Sequence, residues 1–218
     1  MRPEPGASAT AKAAEALGLK PIVVPLFEVG PIAWDAPDPG EFDAILLTSA
    51  NALRHGGGQL DRLASLPAYC VGEATAAAAL EAGFTVAGAG EGGVDELLAA
   101  IPAGTRLLHL CGADRREPAG AGHSIRSIPV YRSAEVDPGD ALAGIKGAVV
   151  AVHSPRAASA FARRAEQSGL RRETIAIAAI SKAASEAVGD GWEAVEVAER
   201  PTDAALLSLA SRLCEKRG

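Results

Sequence analysis

Aromatic residues are scarce in this 218-residue sequence, about 4% of the chain, against 24 glycines. With so few bulky rings, a core has to be closed by small side chains, which suits helices packed tightly on a sheet. Cysteine is scarcer still: Cys70, Cys111 and Cys214 are odd in number and widely spaced, with no CxxC and no Cys/His pattern. Neither a disulfide framework nor a zinc site is supported, and buried free thiols in a reducing cytosol are expected. No apolar run reaches the roughly 18 residues that a membrane span needs, and no signal-peptide pattern opens the sequence. A cytoplasmic protein without a membrane partner is expected. A basic surplus is also lacking, since 21 Lys and Arg stand against 27 Asp and Glu for a formal charge of −6. That balance argues against nucleic acid as a partner, because phosphates are repelled. It leaves room for an anionic small ligand, which helix N-termini and a few basic side chains can hold locally.

What the sequence does contain is alternation. Strand-like runs and helix-like runs follow one another throughout, which predicts an α/β fold with parallel sheets. Residues 8–18 read as a helix with Ser8 as cap and Gly18 as stop. The stretch PIVVPLFEVGPI is extended but broken by Pro21, Pro25 and Pro31, so it suits an edge or connecting strand. Strands are expected at 43–48, 68–72, 84–87 and 106–111, with helices at 50–55, 73–82 and 94–101 between them. Residues 113–124 have no periodicity and read as loop, and 124–136 are extended around Pro129. Strands 147–152, 174–178 and 193–197 then alternate with helices 155–168, 181–189 and 203–216.

The two halves can be laid over each other. Ser49 falls on Ser154, Gly83 on Gly191 and Asp95 on Asp203 at a near-constant offset. One unit of roughly a hundred residues, a plausible small domain, therefore occurs twice. The two proline-bearing extended stretches bracket the first copy. The expected fold class is thus α/β with two similar lobes, each a parallel sheet flanked by helices, joined by a two-stranded linker, with the second lobe inserted into the first. The expected boundaries are 1–24 and 137–218 for the discontinuous outer lobe, 36–124 for the inserted lobe, and 25–35 with 125–136 for the linker. A hinge between two lobes is a good place for a ligand cleft.

Candidate chemistry is sparse. Ser49 and Ser154 stand where a strand gives way to a helix, and Pro155 follows Ser154 as a first helical residue. Either hydroxyl is explained by helix capping, and a capped helix start at the carboxyl end of a parallel strand also favours an anion. Thr75 falls in the first turn of a helix after Gly72, where its hydroxyl could cap or face a ligand. Tyr131 lies in the second extended stretch; a phenol there can donate a proton to a departing hydroxyl, or be an ordinary strand aromatic. Arg54, Arg115, Arg116, Arg132, Arg156 and Lys182 are cations that could line a cleft or simply face solvent. Gly88, Gly90 and Gly93 fit GxGxxG with Asp114 about 20 residues on, a dinucleotide fingerprint that the short following helix and the glycine-free second copy speak against. His55, His109, His123 and His153 show no metal-ligand spacing, and no GxSxG elbow, HExxH or P-loop occurs. No cofactor and no metal are expected.

Taken together, RPEPG at 2–6, LGLKPIVVPLFEV, FDAILLTSANAL, VGEATAAAALEAGF, RLLHLCGAD, PVYRS, AVVAVHSPRAASAF and ERPTDAALLSLA resemble the uroporphyrinogen-III synthase family over nearly the whole chain. The resemblance implies a bilobed protein, each lobe an α/β sandwich, that cyclises hydroxymethylbilane to uroporphyrinogen III without a cofactor. It implies that Tyr131 falls on the tyrosine proposed to assist hydroxyl departure. It further implies that Thr48, Ser49, Thr75 and Ser154 fall on hydroxyls that line the cleft; Asn51, Arg156 and Lys182 are expected as further substrate-binding residues. The partner implied is a polycarboxylate tetrapyrrole, met by a monomer. Three places depart from the family's pattern: no strand precedes Arg2-Pro3, the second G-x-x-T reads Ser181-Lys182-Ala183-Ala184, and the chain between Gly112 and Tyr131 is short. These departures motivate a second reading, a non-catalytic two-lobed binding or assembly protein that keeps the fold.

Overall fold

A computed structural model of the chain describes all residues except 5, 91, 115–117, 120, 121 and 218. In chain order it contains α1 (Gly6–Ala16), β1 (Phe27–Pro31), β2 (Ala44–Leu47), α2 (Ala50–Gly56), β3 (Ala68–Val71), α3 (Glu73–Glu81), β4 (Val86–Gly90), α4 (Val94–Ala100) and β5 (Arg106–Gly112). There follow β6 (Ser124–Glu135), β7 (Val149–Val152), α5 (Pro155–Gln167), β8 (Ala176–Ala179), α6 (Lys182–Val188), β9 (Ala194–Val197) and α7 (Asp203–Glu215). The chain divides into two units, Met1–Glu28 with Ala134–Gly218, and Val29–Ser133.

In the unit of residues 29–133 the sheet order is β1-β6-β5-β2-β3-β4. The ladders from β6 to β4 are parallel. Strand β2, with the sequence AILL, is buried at every position, because a parallel strand under crossover helices has apolar contact on both faces. Ile45 and Leu47 point into a core with Leu53, Leu63 and Phe84. Ala44 and Leu46 point the other way, onto Leu97, Leu98 and Ile101. From β2 the chain builds outward through β3 to β4, then returns to place β5 on the opposite side of β2. The sequence direction of the sheet therefore reverses between β2 and β5, and the carboxyl ends of those two strands splay their connections apart. In open parallel sheets that crevice is where ligands bind.

The unit of residues 1–28 and 134–218 has a smaller parallel sheet, β7-β8-β9. Helices α5 and α6 cover one face, where Phe161 stacks on Trp192 at a centroid distance of 5.2 Å. Helix α7 covers the other with Leu206, Leu209 and Leu213. No helix among the described residues is long and apolar enough to cross a membrane.

Several local expectations need correction. Ser8 is not the cap of the first helix: α1 begins earlier, and the Glu4 carboxylate accepts from the Ser8 amide and hydroxyl at 3.1 and 2.8 Å. The extended stretch after residue 20 joins a ladder only from Phe27 onward. Strand β4 lies later than residues 84–87 and takes in Gly88 and Gly90, because pairing with Tyr69 to Val71 of β3 carries it on. Cys214 is exposed, unlike Cys70 and Cys111, because it faces outward from the last turn of α7.

Candidate active site at the carboxyl ends of the parallel strands

Thr48 is the first residue after β2, and its hydroxyl lies 3.0 Å from Nε2 of His109 on β5. The neighbouring ladder explains the contact, since Leu46 is paired with His109 and Leu47 with Leu110. His109 is 1% exposed and its Nδ1 lies 3.1 Å from the hydroxyl of Ser127 on β6. An imidazole engaged at both nitrogens is fixed in orientation, so the hydroxyl of Thr48 is held at the switch point by a chain of polar contacts across three strands. Sequence reading missed His109, whose partners lie 61 and 18 residues away. The available signal was a histidine inside the otherwise apolar run RLLHLCG.

Ser49 caps α2 by accepting the Asn51 amide at 3.2 Å, and the Asn51 side chain accepts from exposed Arg54 at 3.2 Å. The capping explanation of Ser49 therefore holds locally, and the half-buried hydroxyl remains at the strand end. Thr75 is 5% exposed in the first turn of α3, so it belongs mainly to the interior. Tyr131 comes from β6, opposite Gly112 at the last position of β5, where the ladder slips by one residue. A Cβ on Gly112 would lie 2.9 Å from the Tyr131 ring; glycine leaves the phenol room to approach the strand end this closely. The His55 ring flanks Tyr131 at 6.2 Å between centroids. Thr48 and Ser49 thus follow the carboxyl end of β2, Asn51 lies in the first turn of α2, and Tyr131, inside β6, lies beside the carboxyl end of β5.

In the other unit, Ser154 follows β7 and caps α5, accepting the Ala157 amide at 3.1 Å. Arg156, two residues on, lays its guanidinium over the Phe27 ring at 4.6 Å. Ser181 caps α6 in the same manner, accepting from Ala184 at 3.3 Å. Lys182 is 86% exposed and pairs with Glu186 at 3.8 Å, a solvent-facing arrangement worth little. Arg132 is exposed, and Arg115 and Arg116 lie outside the described residues.

The glycine fingerprint does not form a phosphate turn. Gly88 and Gly90 are strand residues, and a Cβ on Gly88 would press on the Tyr69 ring at 3.0 Å. Cys70, on β3, is not a nucleophile at neutral pH, because burial pushes its thiol up to about 11 and leaves it protonated. Among the described residues, no group of three His, Cys, Asp or Glu could hold a metal ion.

Comparison with known proteins agrees with this architecture. The profile of the family described as "Uroporphyrinogen-III synthase HemD" matches residues 8–208. No curated protein matches the sequence. The crystal structure of uroporphyrinogen-III synthetase from Helicobacter pylori is 20% identical, with a TM-score of 0.64 over 86% of this chain and 91% of that one. Uroporphyrinogen III synthase from Thermus thermophilus is 19% identical, covering 99% of this chain and 98% of that one at a TM-score of 0.42. The first of these supports the α/β fold of parallel sheets flanked by helices.

Proposed function

The chain belongs to the uroporphyrinogen-III synthase family, and on that premise we propose that it closes hydroxymethylbilane into uroporphyrinogen III with inversion of ring D. It is a cyclising lyase of tetrapyrrole biosynthesis. The reaction starts when the terminal hydroxyl leaves and an electrophilic azafulvene forms. The substituted carbon of ring D attacks to give a spiro intermediate, which fragments and recloses with that ring turned over. Such chemistry asks for a proton donor at the leaving hydroxyl and for a grip on eight carboxylates. Most of the rate enhancement then comes from positioning.

Tyr131 is the proton donor in this reading. Its support is the placement of the ring over Gly112 at the end of β5, beside a sheet reversal where ligands generally bind. That placement is the observation that carries the site. Thr48, Ser49 and Asn51 offer hydrogen bonds to carboxylates or pyrrole N–H groups at the neighbouring strand end. Thr75, being buried, shapes the wall more than it contacts the substrate. Ser154 with the start of α5, Arg156 and Lys182 supply the second set of contacts. Exposed Lys182 serves by charge alone, whereas Arg156 is already oriented by Phe27.

Residues 25–35 and 125–136 act as the linker between the outer lobe (1–24 and 137–218) and the inserted lobe (36–124) in this proposal, and the protein works as a cytoplasmic monomer. Three cysteines without a disulfide agree with a reducing compartment.

The test is consumption of hydroxymethylbilane against its spontaneous ring closure. The protein should remove the bilane faster than buffer alone, and Tyr131→Phe should slow removal by roughly 10- to 100-fold, the range expected on losing one positioned proton donor. Removal no faster than in buffer would reject the function. Equal rates for the protein and for Tyr131→Phe would reject the role of the phenol.

A further inference from the structure

In the unit of residues 29–133, the sheet face under α4 carries an apolar cluster in which Ala44, Leu46 and Leu107 pack on Leu97, Leu98 and Ile101. His109 follows Leu107 by two positions on β5, so it points to the same face, and it is 1% exposed. Strand pairing sets it between Leu46 of β2 and Ser127 of β6. A leucine would fill this place with no polar atom to satisfy. An imidazole brings two, and burial makes each of them costly unless it is bonded. Both are bonded, Nε2 to Thr48 at 3.0 Å and Nδ1 to Ser127 at 3.1 Å.

The two contacts are linked through the ring. A neutral imidazole has one N–H and one bare nitrogen, so donating to one hydroxyl means accepting from the other. With the proton on Nδ1, Nε2 takes the Thr48 proton and leaves a ligand only oxygen lone pairs. With the proton on Nε2, the Thr48 oxygen accepts and its own O–H is released. Among the described residues the contact with His109 is the one hydrogen bond of the Thr48 hydroxyl, so the released proton is free for a ligand. Ser49, the next residue, is set the same way. Its oxygen accepts the Asn51 amide at 3.2 Å, which leaves its O–H unspent.

We propose that His109 is a positioning residue for the site at the end of β2: it holds its proton on Nε2, donates to Thr48, and so makes that hydroxyl a donor to a substrate carboxylate. The inference rests on the substrate reading given above. Ionised carboxylates only accept hydrogen bonds, and a bilane carrying eight of them is gripped by donors. Thr48 and Ser49, both with their oxygens already engaged, are two successive donors where the chain leaves the sheet at its switch point. A hydrogen bond to an ionised carboxylate is roughly twice as strong as one between neutral groups. His109 does not touch the substrate and acts through Thr48. Ser127 donates to Nδ1 in this arrangement and keeps the ring from turning over.

Nitrogen NMR of the parent protein, with its histidines isotopically labelled, reads the ring proton directly, His109 being the signal that disappears in His109→Gln. The account requires a protonated Nε2 and a bare Nδ1; the reverse would overturn it. Kinetics give the second readout. His109→Leu should raise KM for hydroxymethylbilane roughly tenfold with kcat within about twofold, because the binding step loses one hydrogen bond to a charged group. His109→Gln, whose amide N–H reaches the position of Nε2, should recover most of that loss. Thr48→Val should raise KM as His109→Leu does, and the double variant should raise it no further. An unchanged KM in a folded His109→Leu protein would make the histidine a tie between strands and overturn the inference. A parent protein that fails to consume the bilane would instead overturn the synthase reading, and with it the ligand assigned here to Thr48.

Discussion

Gly112 and Tyr131 carry the argument at the scale of single residues. A methyl group on Gly112 meets the phenol ring at 2.9 Å, so Gly112→Ala must push Tyr131 off the end of β5. Displacements of about 1 Å near reacting groups cost up to roughly 100-fold in rate. Gly112→Ala should therefore lower kcat at least tenfold while circular dichroism and melting stay close to the parent protein. Full activity in the variant would separate the tyrosine's position from the chemistry. His109 supports a different expectation. His109→Phe removes the partner of two hydroxyls at once and leaves those of Thr48 and Ser127 without it. Losing each hydrogen bond costs about 0.5–1.5 kcal/mol, so urea unfolding should shift to lower midpoints. The tyrosine was legible in the sequence because its motif PVYRS is contiguous. The histidine's role was not, because Thr48 and Ser127 reach it only through strand pairing.

Helices and strands differ in how much of them local chemistry writes. The starts of α2, α5 and α6 follow from Ser49, Ser154 and Ser181, each of which accepts an amide in the first turn. Ser154→Ala should cost about 1 kcal/mol of stability, the usual worth of such a cap, measurable by chemical denaturation. If binding also uses this helix start, the variant raises KM for the bilane; an unchanged KM would leave Ser154 a cap alone. Strand β4 shows the opposite case. Its glycines favour a turn when read alone, yet pairing of Gly88, Ala89 and Gly90 with β3 makes them strand. Gly88→Ala should destabilise the edge of the sheet, since its methyl group would crowd Tyr69. Residues 21–26 teach the same lesson in reverse, for their composition favours a strand, yet they form none, although the Leu26 carbonyl accepts the Val136 amide at 3.0 Å.

Across the whole molecule, the chain divides into two units with separate cores. Each contains one tryptophan, Trp192 donating to Val188 at 3.1 Å and Trp34 donating to Gly56 at 2.9 Å. Replacing either by Phe lets the other report on its own unit. Burial, with the Met1 amino group close by, holds His153 down from 6.5 to about 4, and the Met1 amine is held down to about 5. Both bind protons more readily in the unfolded chain, so their contribution is complete above about pH 8 and shrinks as the pH falls through 8 and 6.5 toward 4. Melting followed at Trp192 should weaken over that window. His153→Gln should flatten the part below pH 6.5, and an unchanged slope would contradict the assignment. In the other unit Asp43, held down to about 2 by its hydrogen bonds from Arg106, loses its contribution only below about pH 4, so Trp34 should report a later, smaller change.

The isomer composition of the product tests the central claim most directly. With hydroxymethylbilane supplied and the uroporphyrinogens oxidised and separated, the type III fraction should rise toward the whole of the product as the protein concentration is increased. A product that stays type I at every protein concentration would contradict the account.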